Sequence, residues 1–145
     1  MKFLNALQPL GLLVLRLALA VIFIYHGYPK LARPSAGMSE FFTQHGLPGY
    51  LVAVAGILEC FGGLALAAGL FARPATLLLA GEMAVAIWKV HSVHGVMAVK
   101  EYEFPLAMCA ACFALATVGA GAVSMDHLLF GEGRKKRRAG KSGKG

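Results

Sequence analysis

Seven side chains set the chemical question. Arg16, His26, Lys30, Glu59, Glu82 and His91, with Tyr25 beside His26, all lie within or at the edge of long apolar runs. A charge near the middle of a bilayer costs several kcal/mol unless it faces a protein interior and finds a partner, so such groups either lock helices together or handle protons and polar ligands. In the stretch FIYHGYPKL, residues 23–31, His26 and Lys30 are four positions apart and stand about 40° from each other around a helix. A histidine is short and titrates near neutrality, which suits proton exchange or a hydrogen bond to a ring carbonyl. For Lys30 and Lys100 the plainer expectation is snorkelling to the headgroups. Tyr25 and Tyr28 equally suit an interfacial aromatic belt.

Deeper in the runs, a rise of 1.5 Å per residue puts Arg16 and Glu82 roughly 10–12 Å above the inner boundary and Glu59 nearer the middle. This predicts that Arg16 pairs with Glu82, Glu59 or both. Gly56, Glu59 and Gly63 recur at i, i+3 and i+7, with Gly62 alongside, so the Glu59 carboxylate shares a face that another helix can approach closely. Glu82 and Lys89 fall about 20° apart by the same period. With His26, Lys30, His91, His94, Glu101 and Glu103 they form a polar crown towards the outer surface.

The elements that must position these groups follow from composition. The chain has 145 residues, 58% hydrophobic and only 14% charged, with a mean hydropathy of +0.67. Soluble domains are roughly half apolar and a quarter charged. A span needs about 20 apolar residues, and four windows qualify: residues 7–28, 50–71, 74–93 and 104–123. Gly27 and Pro29 are expected to end the first, Pro48-Gly49 to precede the second, Arg73-Pro74 to open the third, and Gly119-Ala120-Gly121 to loosen the fourth. Between the first two, Ser39–His45 suits a short interfacial helix. The expected fold is therefore all-α: a polytopic membrane protein, a four-transmembrane-helix bundle over residues 1–130, followed by a basic, disordered cytoplasmic tail over 131–145.

That tail explains the formal charge of +7. Seven of the fourteen Lys and Arg lie in residues 134–145, and the rest of the chain is balanced. A basic block beside apolar spans reads as contact with anionic membrane lipid rather than nucleic acid. Basic residues collect on the cytoplasmic side, which puts both termini there and the Arg73 loop with them; Lys30, Arg33 and Lys100 on the other side dissent. Lys2 and the Ala18-Leu19-Ala20 sequence resemble a signal peptide with its cleavage site, but Arg16 interrupts the apolar region and hydrophobicity runs on to Tyr25.

Other spacings carry less. Cys109-Ala110-Ala111-Cys112 has redox spacing, yet it lies inside the fourth span, away from the exposed helix start that stabilises a thiolate, and reads as packing. Cys60 reads the same way. His91-Ser92-Val93-His94 has no further Cys/His pair at zinc-like spacing, so no metal is expected. No phosphate-cradling glycine loop is present, and no nucleophile sits beside an evident base.

The succession of LRLALAVIFIYHGYPKL, AGILECFGGLALAAGLFARPA, EMAVAIWKVH and YEFPLAM, from about Leu12 to Asp126, resembles the DoxX family of small bacterial membrane proteins. The resemblance implies a four-helix fold in the inner membrane. It also implies an association with quinone-linked redox chemistry and redox stress, relatives including a subunit of a thiosulfate:quinone oxidoreductase. On that pattern Arg16 and Glu59 form a buried polar core, and His26 and Lys30 the signature closing the first span, although Pro29 interrupts it. The functional expectation is a redox component with Arg16, His26, Glu59 and Glu82 in the catalytic role, and Tyr25, His26, Lys30 and His91 around a membrane quinone. Lacking a flavin, haem or iron–sulfur motif, it would take electrons from a soluble or membrane partner. The alternatives are a non-enzymatic scaffold or assembly subunit, and a small transporter, which would require a homo-oligomer or an inverted repeat.

Overall fold

A computed structural model describes residues 2–91 and 99–129, and the described residues contain helices and turns without strands. Helix α1 spans Lys2–Ala32, α2 Ala36–Gln44, α3 Leu51–Ala68, α4 Ala72–Ala86 and α5 Val99–Val118, and a π-helical turn, Ile87–His91, prolongs α4. Three of these, α1, α3 and α5, are long and apolar enough to cross a membrane. The third expected span, residues 74–93, is shorter: α4 has 15 residues before the π turn. The expected tail over 131–145 and His94 lie outside the described residues.

Helix ends differ instructively from expectation. Neither Gly27 nor Pro29 stops α1, which runs on to Ala32. A proline near a C-terminus removes only one N–H from the ladder, and the chain recovers with a bond from Arg33 N–H to the Pro29 carbonyl, 3.0 Å. Conversely, α5 ends at Val118, five residues before the expected boundary, because Gly119 and Gly121 take φ values of 93° and 82° that a helix cannot continue through. The short helix expected after the first span is present as α2, its N-terminus capped by the Ser35 hydroxyl, which accepts from Met38 N–H at 3.2 Å.

Helix α1 packs chiefly on α3, and α4 on α5, while α3 and α4 join the two pairs. Leu19, Ala20 and Phe23 of α1, Leu66 of α3, Leu79 and Ala80 of α4, and Met108, Cys112 and Leu115 of α5 form one buried core. Both cysteines of the fourth apolar run belong to this packing: Cys112 is fully buried, and Cys109 Sγ lies 3.4 Å from the Ala80 carbonyl.

Apolar side chains gain little by leaving lipid for protein, so close backbone approach must supply much of the helix association. At the α1–α3 contact a Cβ placed on Gly27 would stand 2.7 Å from Glu59 Cβ, and one on Gly63 would stand 2.7 Å from Ile24 Cγ1. Gly27→Ala is expected to push these helices apart and cost about 1–3 kcal/mol of stability. Unfolding of the protein in mixed detergent micelles measures this, and an unchanged midpoint would contradict the close contact.

Candidate functional site

The ionisable groups fall into two separate centres. The first surrounds Arg16, which is 1% exposed. Its Nε donates to the Leu66 carbonyl at 2.9 Å and Nη2 to that of Ala67 at 3.2 Å. Nη1 donates to Ala120 at 2.8 Å and Val123 at 2.6 Å. The last carbonyls of a helix lack intrahelical partners and sit at the negative end of its dipole, so a guanidinium is well matched to them. Gly69 closes α3 in the left-handed conformation, φ 67°, with Leu70 N–H bonded to the Ala65 carbonyl at 3.0 Å, and any side chain there would strike the Arg16 guanidinium.

The opposite helix end receives the opposite charge. Asp126 accepts from the N–H groups of Phe71 (2.8 Å) and Ala72 (3.0 Å), where α4 begins. Its own N–H donates to the Gly69 carbonyl at 2.9 Å. The α3–α4 turn is thus clasped by a cation from α1 and an anion from beyond α5. The turn includes Phe71 at a φ of 49°, a conformation that bulky residues seldom take.

The expected pairing of Arg16 with Glu59 or Glu82 does not occur. Counting depth from Leu7 misplaced Arg16, because α1 is about 46 Å long at 1.5 Å per residue and outruns a hydrocarbon core of about 30 Å. Arg16 instead lies level with the last turn of α3.

Glu59 and Glu82 belong to the second centre. Glu59 Oε2 accepts from Lys30 Nζ at 2.6 Å, with the Glu59 side chain 4% exposed and that of Lys30 23%. Lys30, expected to snorkel, therefore turns back onto α3. Both residues line a cleft of about 1380 Å³ bounded by α1, α2, α3 and α4, and Glu82 lines it from α4. Among the described residues no group hydrogen-bonds Glu82 Oε2, which is itself buried. Most of the remaining wall is apolar, and α2 supplies Met38, Phe41 and Phe42 to it.

Tyr25, His26 and Tyr28 also line the cleft but are largely exposed. His26 Nδ1 lies 2.9 Å from the Ile22 carbonyl, so its N–H donates there and the neutral ring keeps Nε2 as an acceptor. The His26 ring is 5.5 Å from that of Tyr25 and 5.8 Å from that of Phe104. Of the expected site residues, the cleft therefore gathers Tyr25, His26, Lys30, Glu59 and Glu82. Arg16 is elsewhere, and the side chain of His91 lies outside what is described.

Glu82 lines the cleft and Lys89 does not. The π turn winds more residues per turn than the 3.6 assumed, and Lys89 Nζ stands 4.9 Å over the Trp88 ring. Sequence reasoning missed Asp126 and the α2 side chains altogether. Ser35 could have announced where α2 begins, whereas nothing local to Asp126 announces that it will cap a helix 54 residues earlier.

A family model described as DoxX matches residues 11–92. The chain is 31% identical over 128 residues to "Inner membrane protein YqjF" of Escherichia coli (strain K12), covering 85% of this chain and 95% of that protein. It is 32% identical over 138 residues to an "Uncharacterized protein" of Haemophilus influenzae (strain ATCC 51907 / DSM 11121 / KW20 / Rd), covering 90% and 98%. With "Putative oxidoreductase CatD" of Bacillus subtilis (strain 168) it shares 29% over 126 residues, covering 87% and 91%. No solved structure matches it. The match over more than half of the 145 residues, on a chain with three apolar helices of membrane-spanning length, makes this a membrane protein of the DoxX family.

Proposed function

We propose that the protein is a quinone-linked redox or redox-stress component of the bacterial inner membrane, acting with a partner protein that supplies or removes electrons. In this reading α4 and its π turn make a fourth crossing. Both termini and the 131–145 tail lie on the cytoplasmic side, where the tail meets anionic lipid. The cleft then opens in the half of the membrane away from the cytoplasm.

One observation carries the proposal: a roomy apolar cleft holds a few polar groups, buried Glu59 with half-buried Lys30 and Glu82, against walls that suit a lipid-soluble ring. Glu82 would hydrogen-bond the ring's oxygen, the Lys30–Glu59 pair would exchange protons near it, and His26 with Tyr25 or Tyr28 would guard the mouth. A quinone supplies the electron-carrying chemistry when bound. The names of the relatives in Escherichia coli and Bacillus subtilis support the inner-membrane and redox parts of this reading. Arg16, engaged by four carbonyls, serves the framework and not the site.

Saturable binding of a short-chain ubiquinone to the purified protein in nanodiscs tests this. Val85→Trp, which adds bulk to the cleft wall from α4 without removing an ionisable group, is expected to weaken that binding about tenfold, near 1.4 kcal/mol. Failure of any quinone to saturate the wild-type protein would refute the proposal. The family of alternatives narrows further by mass spectrometry of the proteins and isoprenoid lipids retained on gentle purification.

A further inference from the structure

The unpartnered oxygen of Glu82 constrains the ligand more narrowly than the cleft's shape does. Buried polar oxygens are normally hydrogen-bonded. The titratable groups facing the cleft are Tyr25, His26, Tyr28 and Lys30 from α1, Glu59 from α3 and Glu82 from α4, with none from α2. The cation among them, Lys30, is held by Glu59 at 2.6 Å, and His26 Nδ1 is taken by the Ile22 carbonyl. Among the described residues nothing satisfies Glu82 Oε2, and a ligand entering the cleft that Glu82 lines can supply the missing bond.

Resting on the quinone-linked reading above, the geometry points to Glu82 as the residue that distinguishes the two redox forms of the ring, favouring the hydroxyl-bearing form (a quinol, catechol or related phenol) over the carbonyl-bearing one. A hydroxyl both donates and accepts, so it satisfies Glu82 whether the carboxyl is ionised or carries its proton. A carbonyl only accepts and is satisfied by the protonated acid alone. A site built to hydrogen-bond a hydroxyl rejects the analogue lacking it, because its own buried group is then left unpaired. Among the described residues Glu82 Oε2 bonds nothing, so replacing Glu82 breaks no bond of that oxygen within them.

The experiment is calorimetric titration of the full chain in phosphatidylcholine nanodiscs under anaerobic conditions. Three probes share one decyl-substituted ring: the hydroquinone, the quinone and the hydroquinone dimethyl ether, whose methyls the cleft has room for. The hydroquinone is expected to bind about tenfold more tightly than either the quinone or the ether, the factor that corresponds to one lost hydrogen bond of about 1.4 kcal/mol. A quinone that binds as tightly as the hydroquinone overturns the preference. Glu82→Leu is expected to bring the hydroquinone and the ether within about threefold of each other by weakening the hydroquinone alone. Glu82→Gln, which keeps a carbonyl acceptor in the same shape, is expected to retain most of the preference and serves if the leucine variant does not fold. Equal affinity of hydroquinone and ether for the wild-type protein, or a preference that survives in Glu82→Leu, overturns the role of Glu82 and leaves ring binding standing. Absence of binding by all three probes overturns both this inference and the quinone-linked reading.

Discussion

Arg16→Met is expected to lower the unfolding free energy of the protein by about 3–5 kcal/mol, the range for removing one member of a buried charged network. The substitution keeps most of the side-chain volume, so the loss reports the four carbonyls rather than a cavity. Leu66, Ala67, Ala120 and Val123 would be left without the guanidinium that now bonds them, in a setting where no water replaces it cheaply. Arg16→Lys is expected to recover less than half of the loss. An ammonium is a point donor and cannot span carbonyls on two sides, as the planar fork does. Unfolding in mixed micelles, followed by circular dichroism, measures both variants. A loss below about 1 kcal/mol for the methionine variant would show that the cage contributes no more than an ordinary hydrogen bond.

The second large effect is an asymmetry at the cleft. Lys30→Met is expected to destabilise by about 2–4 kcal/mol, because it strands the Glu59 carboxylate, 4% exposed, on a face that already carries Glu82. Glu59→Leu is expected to cost less, about 1 kcal/mol, since the longer and partly exposed Lys30 can swing its ammonium outward. The double variant is expected to come within about 1 kcal/mol of wild type, buried ion pairs being replaceable by apolar residues far more readily than they can be halved. A double-mutant cycle in the same micelles supplies the comparison. Additive losses would mean that the 2.6 Å contact carries no coupling.

Much of this molecule can be read from the order of its residues, and the reason differs from part to part. The apolar windows announce α1, α3 and α5 because lipid demands a minimum run of such residues. The Gly56, Glu59, Gly63 spacing announces the face of α3 that meets α1, because only small side chains permit that approach. That His26, Lys30, Glu59 and Glu82 face inward was legible from their shared cost in a bilayer, whereas their separation from Arg16 was not. Which of them touch was not. Pairing depends on axial offset between helices, and sequence counting from the ends of an apolar window fixes that offset poorly when α1 overshoots the bundle. The π turn after Ala86 also departs from the 3.6-residue period by which Lys89 was placed. Carbonyl partners escape a search for opposite charges altogether, and so a partner for Arg16 was sought among carboxylates while the end of α3 and the segment after α5 supplied it.

The clasp at the α3–α4 turn also bears on how the protein is made. Arg16 precedes its bonding partners by 50 to 107 residues. Until Ala120, Val123 and Asp126 have left the ribosome, the growing chain carries a guanidinium with only half its acceptors and an α4 start without its acidic cap. A nascent chain halted before Gly119 would hold the four main helical segments and still lack the fastening that closes them. Closure of the bundle therefore waits on residues 120–126, which complete the carbonyl set around Arg16 and cap α4.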